Sequence, residues 1–318
     1  MIKMKNKFLN ILFLLIVISS SAQSQIVLTL KKSFIESLQN KITIKSDFNF
    51  DKANKKIINI KSGFYLGKSA PLHQDTKLYE DLIMSGSSFD IGFPVEAKIF
   101  NANHDFSTSD IISQYLNKKI NLTGVWRIWT EYFGNDKIRQ GELSGKLNDN
   151  TAEHIFEISP VTKFNDIELK GYNKLTKTNK IQNAENAFPK YSLLKCNISC
   201  DDSLITITTN GIGYDFVDFV LQLNDTSDIR DDGRFIDCNV FDNNNNLLVK
   251  NLRMVFIKNS GPEKAVRKLS IGDKLRVLGM PRFNLNEIYS RIKSSESNKE
   301  MLNYNLPYEM VIISVINK

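Results

Sequence analysis

The sequence predicts a mainly β, antiparallel protein built in two parts, and three observations lead there. Apolar residues recur at alternate positions in many short runs, as at Ile42, Ile44, Phe48 and Phe50, which marks strands with one wet face. Turn-forming clusters such as Asn243-Asn244-Asn245-Asn246 separate these runs, because asparagine tolerates left-handed backbone. Residues 170–190 are rich in Lys, Asn, Thr and Gln and poor in apolar side chains, so they are expected to link a domain at 23–169 to one at 191–318; a long loop inside one domain is the alternative. A length of 318 residues suits two such domains. With 42% hydrophobic and 24% charged residues, the chain is neither a disordered polymer, a collagen-like fibre nor a multispan membrane protein.

Residues 1–22 have the three parts of an export signal: Lys3, Lys5 and Lys7, an apolar run from Phe8 to Ile18, and the small exit Ser20-Ser21-Ala22. The run is shorter than the ~20 residues that cross a bilayer. Cleavage after Ala22 is therefore expected in preference to an uncleaved anchor. No later segment could span a membrane, so the mature chain is expected to be periplasmic or extracellular.

In the first half, strands are expected at Lys41–Phe50, Ile57–Leu66, Phe93–Phe100, Leu122–Phe133 and His154–Phe164. The stretch from Ser69 to Ser88 looks loop-like, with a short helix around Tyr79–Met84. Ser109–Lys119 spaces Ile111, Ile112, Tyr115 and Leu116 at helical intervals behind Ser107 or Ser109 as cap.

In the second half, Leu204–Thr209, Val217–Leu223, Phe235–Phe241 and Leu247–Lys258 form an expected meander. Ser260-Gly261-Pro262-Glu263 has the spacing of a capping box with proline in the first turn, opening a helix through Ala265, Val266 and Leu269. Gly272-Asp273 turns the chain into Lys274–Met280, and a polar excursion from Asn284 to Asn305 leads to the closing strand Tyr308–Ile316. The passage Leu269-Ser270-Ile271-Gly272-Asp273-Lys274-Leu275-Arg276-Val277-Leu278-Gly279 resembles the helix-to-fourth-strand passage of the OB-fold superfamily. That resemblance covers about Tyr214 to Lys318 and implies an OB-like five-stranded barrel in the C-terminal half. Members of the superfamily bind oligonucleotides, oligosaccharides or proteins, so no single activity follows. By element order alone, the first half is a β-rich domain with the makings of a second OB-like copy, although no direct residue repeat is evident. Gly124-Val125-Trp126-Arg127-Ile128-Trp129 and His154-Ile155-Phe156-Glu157-Ile158-Ser159-Pro160 are also similar to pieces of uncharacterised secreted bacterial proteins, in which histidine is expected at the position of Ser159.

The formal charge of +7 includes the three leader lysines; without them 39 basic residues face 35 acidic ones, or +4. Lys55-Lys56 and Lys118-Lys119 are scattered among acids, so charge gives little support to nucleic-acid binding. Three cysteines make an odd count, and Cys196 and Cys200 are the expected disulfide pair if Asn197-Ile198-Ser199 turns. The three histidines, His73, His104 and His154, lack metal-ligand spacing, and no nucleophile elbow is present. Neither a metal nor a cofactor is expected.

Two groups of residues are candidates for ligand binding. Arg127, Trp129 and Glu131 would share one strand face, either as an exposed aromatic flanked by charges that could stack on a sugar or base, or as a tryptophan packed between domains with its charges paired at the rim. Arg276, Arg282, Tyr289 and Arg291 surround the expected fourth strand and the loop after it, where OB-fold ligands commonly bind; the alternative is a solvated charged face. The expected function is binding of a carbohydrate or an envelope protein. An envelope hydrolase using paired carboxylates such as Glu131 and Glu157, a structural or assembly protein, and a binder of single-stranded nucleic acid are the alternatives.

Overall fold

The computed structural model describes residues 25–49, 82–88, 90–102, 119–130, 137–141, 155–173, 181–211, 213, 216–294 and 302–316. The expected strand Ile57–Leu66 and the expected helix Ser109–Lys119, save its last residue, lie outside these residues. The fold is mainly β, in three mixed sheets. Along the chain come β1 (Gln25–Lys31), α1 (Lys32–Leu38), β2 (Thr43–Asn49), β3 (Leu82–Ser88), β4 (Phe93–Ile99), β5 (Lys119–Ile128), β6 (Lys137–Arg139), β7 (Phe156–Phe164) and β8 (Ile167–Glu168). There follow β9 (Ile181–Asn183), α2 (Ala184–Leu193), β10 (Lys195–Asp201), β11 (Leu204–Asn210), β12 (Phe216–Leu223), β13 (Asp228–Arg230), β14 (Gly233–Phe241) and β15 (Leu247–Ile257). The chain ends with α3 (Gly261–Val266), β16 (Lys274–Phe283), α4 (Leu285–Ser294), β17 (Leu302–Asn305) and β18 (Tyr308–Val315).

Two of the sheets close on themselves with the same connectivity. In the first, β2 pairs antiparallel with β3 and β5, β3 with β4, and β5 with β7; a parallel pairing of β4 with β7 completes the circuit. In the second, β12 pairs antiparallel with β14 and β16, β14 with β15, and β16 with β18; parallel β15 and β18 complete it. Taken in chain order, the five strands of each ring therefore lie in the sequence first, second, third, fifth, fourth. The C-terminal sheet is such a ring with register shifts at Leu278/Gly279 and along Cys238–Phe241, not the regular barrel expected from the sequence. Extra residues in one strand leave the ladder locally unpaired and bend it.

Local chemistry explains the elements of the second ring. Asn245 takes a positive φ of 69° in the asparagine turn, and the Asp242 carboxylate accepts from the Asn244 and Asn246 amides at 2.9 and 2.7 Å. Ser260 caps α3 by accepting from the Glu263 amide at 3.2 Å. The Glu263 carboxylate reaches the Asn259 amide and is gripped by Arg234 and Arg267 at 2.8 and 2.6 Å. The fourth strand of each ring carries a glycine where the fifth comes close. A Cβ on Gly124 would stand 2.6 Å from the Pro160 carbonyl oxygen, and one on Gly279 would stand 3.2 Å from that of Val311.

The two halves share a sheet and a core. β1 lies between β11 and β6 in a five-stranded sheet continued by β10 and β17, so Gln25 pairs with Asn210. Residues 170–190, expected as a linker, supply β9 and the start of α2, whose Ala184, Ala187, Phe188 and Tyr191 are buried in a cluster reaching from Ile26 to Phe156 and Phe256. Full burial of a side chain such as Phe188 contributes about 1.5–3 kcal/mol, which a spacer between independent domains would not supply. A second cluster joins the outer faces of the rings, setting Ile42, Phe100 and Val125 with Phe216, Leu278 and Met280.

Three local expectations are corrected. The helix expected around Tyr79–Met84 gives way, from Leu82 on, to strand β3 paired with β4. The turn expected over Asn197–Ser199 is extended strand β10, which holds Cys196 and Cys200 roughly 13 Å apart, beyond the ~7 Å a disulfide allows; all three cysteines are free thiols. The polar excursion from Asn284 contains helix α4, whose Leu285, Ile288, Tyr289 and Ile292 are buried at helical spacing.

Candidate functional site

Where the rings meet, each contributes an arginine from its fourth strand and a glutamate from its fifth. Arg127 stands across from Glu157 and Arg282 across from Glu309, with ion pairs of 3.0 and 2.7 Å. Each arginine also bonds the other ring. Arg127 donates from Nε to the Pro281 carbonyl at 2.8 Å, and Arg282 donates from Nη1 to the Trp126 carbonyl at 3.0 Å. The acceptor in each case is the residue preceding the opposite arginine, so the contact is reciprocal. Arg282 further donates to the Ile42 carbonyl at 3.2 Å and lies 3.7 Å over the Trp126 ring. Burial pushes its guanidinium below the ordinary value, and Glu309 opposes that shift.

From this junction, charges of alternating sign run across the outside of the C-terminal ring. Glu309 holds Arg282 on one side and meets Arg253 of β15 at 3.5 Å on the other. Arg253 is the cross-strand partner of Asp237 on β14. Its guanidinium lies 3.7 Å over the Phe235 ring. Arg253 Nη1 and Glu309 Oε2 are buried without a hydrogen-bond partner among the described residues.

Arg253, Asp237 and Phe235 form the floor of a cleft of about 610 Å³. One wall comes from the segment after β12, with Asp225 and Asp228; the other comes from α4 and the approach to β18, with Glu287, Arg291, Asn305 and Tyr308. Four asparagines, Asn251, Asn284, Asn286 and Asn305, add amide donors and acceptors. Four carboxylates thus face two guanidinium groups, an unfavourable balance for a phosphate backbone. Desolvation by the surrounding cleft raises the Asp237 carboxyl from its ordinary value, Arg253 opposes this, and Asp225 adds to it.

The expected site residues are dispersed. Arg291 lines the cleft, held by Glu287 at 2.8 Å and lying 4.5 Å over the Tyr304 ring. Tyr289 points away, donating to Glu36 of α1. Arg276 is fixed by a two-pronged contact with Asp218 at 2.9 and 2.5 Å. Arg282 is fully buried in the junction. Trp129 is only 3% exposed, and its ring packs edge-on against Tyr191, Phe283 and Tyr308. Arg127 is 1% exposed, so neither it nor Trp129 presents the open aromatic face that the alternation suggested; β5 has its own ring on one side and the other ring on the other. Glu131 and the three histidines lie outside the described residues. Among those described, no group of three His, Cys, Asp or Glu side chains is placed to hold a metal ion, and no helix is long and apolar enough to cross a membrane.

Arg253, Asp237 and Phe235 carry no sequence motif. Their signal is an arginine inside an otherwise apolar strand, Leu252-Arg253-Met254-Val255-Phe256. The junction left a clearer trace in the spacing Gly-x-x-Arg at Gly124/Arg127 and Gly279/Arg282, each followed by an aromatic-Glu pair, Phe156-Glu157 and Tyr308-Glu309.

No family model matches the chain, and no curated protein does so.

Proposed function

We propose that the chain is a tandem of two OB-like modules acting as an exported binding protein of a bacterial cell envelope, with the C-terminal cleft taking a carbohydrate. The strand order and the parallel third and fifth strands are those of the OB-fold. That fold binds ligands over its second and third strands, between the loop joining the first two strands and the loop joining the last two. The cleft occupies that place: its floor is β14 and β15 and its walls are the corresponding two loops. This coincidence carries the reading. Its lining of asparagine, carboxylate and arginine suits a polyhydroxylated ligand, and such clefts pair a few placed polar groups with a shaped surface. Single-stranded nucleic acid is a poorer fit, because four carboxylates face two guanidinium groups in the cleft and would repel a phosphate backbone.

A hydrolytic role would draw on the Asp237 and Asp225 carboxylates, which line the same cleft. Binding without turnover is the simpler account. Screening the purified mature protein against an array of envelope glycans, with oligo(dT) at low salt as control, tests it. Selective glycan retention without release of reducing ends is the expected result. Retention of oligo(dT) alone, weakening as salt is raised, would overturn it.

A further inference from the structure

We propose that Arg253 and Asp237 together read a vicinal diol of a neutral sugar residue. This rests on the assignment of the cleft to carbohydrate and adds which part of the ligand is recognised. The two residues are direct cross-strand partners, so their Cβ atoms lie about 4.5–5.5 Å apart on one face of the sheet. Arginine can only donate and an ionised carboxylate can only accept. Two adjacent hydroxyls supply what both need, accepting hydrogen bonds from the guanidinium through their oxygens and donating O–H hydrogen bonds to Asp237.

Other chemistries satisfy one partner and offend the other. A ligand carboxylate would suit Arg253 but meet Asp237 and Asp225, while an ammonium group would suit the two aspartates but meet Arg253. A flat apolar ring would find the Phe235 face already covered by Arg253 at 3.7 Å and would leave both charged groups without a hydrogen-bond partner. The guanidinium is also held in place before any ligand arrives. Glu309 stands behind it at 3.5 Å and is fixed through Arg282 to the ring junction. Arg253 therefore has little freedom to lose on binding, which favours affinity.

The test is calorimetric titration of the full mature protein with maltohexaose, cellohexaose and mannohexaose, each native and after periodate oxidation and reduction, which opens the 2,3-diols but leaves hydroxyls. At least one native oligosaccharide is expected to bind and to lose tenfold or more in affinity when oxidised. Asp237→Asn and Arg253→Gln should each lose a similar factor, as expected for charged hydrogen bonds. Asp237 is exposed, so its variant keeps the test informative even if Arg253→Gln folds poorly. Equal affinity for native and oxidised forms, with Asp237→Asn weakened, overturns the diol while leaving the cleft as the sugar site. Unchanged affinity in both variants, or no binding of any hexasaccharide, overturns the cleft assignment and the diol together.

Discussion

Replacing Arg282 by methionine probes the junction on which the placement of the cleft depends. The substitution keeps most of the aliphatic volume but removes a guanidinium that is fully buried. Glu309, itself 1% exposed, loses its 2.7 Å hydrogen bond. The carbonyls of Trp126 and Ile42 lose donors at 3.0 and 3.2 Å. Removing one partner of a buried ion pair costs about 3–5 kcal/mol. Arg253 remains 3.5 Å from Glu309, which places the expected loss near the lower end, about 3 kcal/mol. Arg282→Met/Glu309→Leu leaves no buried carboxylate behind, so it should be less destabilised than the sum of the single variants by about 1–3 kcal/mol. Urea unfolding followed by fluorescence suits the measurement, because the chain's two tryptophans, Trp126 and Trp129, both sit beside the junction. A loss below about 1 kcal/mol for Arg282→Met, or strict additivity in the double variant, would show that the buried pairing is not what holds the rings together.

The Glu263 carboxyl gives an acid-range signature. Burial works against its ionisation, but the Arg267 hydrogen bond and the charges of Arg234 and Arg267 outweigh it and hold it below the ordinary glutamate value. A depressed pKa contributes stability that is present above the unfolded value and lost as pH falls through the folded one, so Glu263→Gln should flatten the fall in stability below pH 4.5 in thermal melts. Gly124→Ala should destabilise by about 1–3 kcal/mol, because its Cβ would meet Ile158, Pro160 and Val161 within 2.9 Å; a wild-type denaturation midpoint would contradict the close approach. Thiol labelling of the native protein should reach half-buried Cys200 first, since burial pushes Cys196 up to about 11 and Cys238 up to about 12; rapid labelling of all three would contradict that burial. Amino-terminal sequencing of the exported protein should begin at Gln23, and a start at Met1 would exclude cleavage.

Strands were legible where one face is buried and the other is not: Leu204–Asn210 of the five-stranded sheet alternates strictly between half-buried and buried residues, and β12 of the C-terminal ring does the same from Val217 to Leu223. Asn245 and Ser260 marked their turn and cap by side-chain chemistry that acts within a few residues. Pairings between distant segments leave no such local trace, and neither β1 against β11 nor Arg127 against Pro281 could be read from spacing. Helix α2 was obscured by composition. Its Lys- and Asn-rich surroundings suggested a spacer, although Ala184, Ala187, Phe188 and Tyr191 fall at the helical interval that buries them. The cleft was visible only as Arg291, because what gathers Arg253, Asp237 and Asn305 is the closure of the ring, and closure is a property of pairing rather than of any single strand.

The position of β1 also sets the order of events during biosynthesis. A polypeptide emerges amino end first, so Gln25–Lys31 is made well over a hundred residues before its antiparallel neighbour Leu204–Asn210. Until then the edge of β1 that meets β11 is unpaired and Ile26, Leu28 and Leu30, which end up fully enclosed, are only partly covered, and an open strand edge invites pairing with other chains. Refolding yield should therefore fall steeply with concentration, and a holding chaperone that shields the amino-terminal segment should restore it.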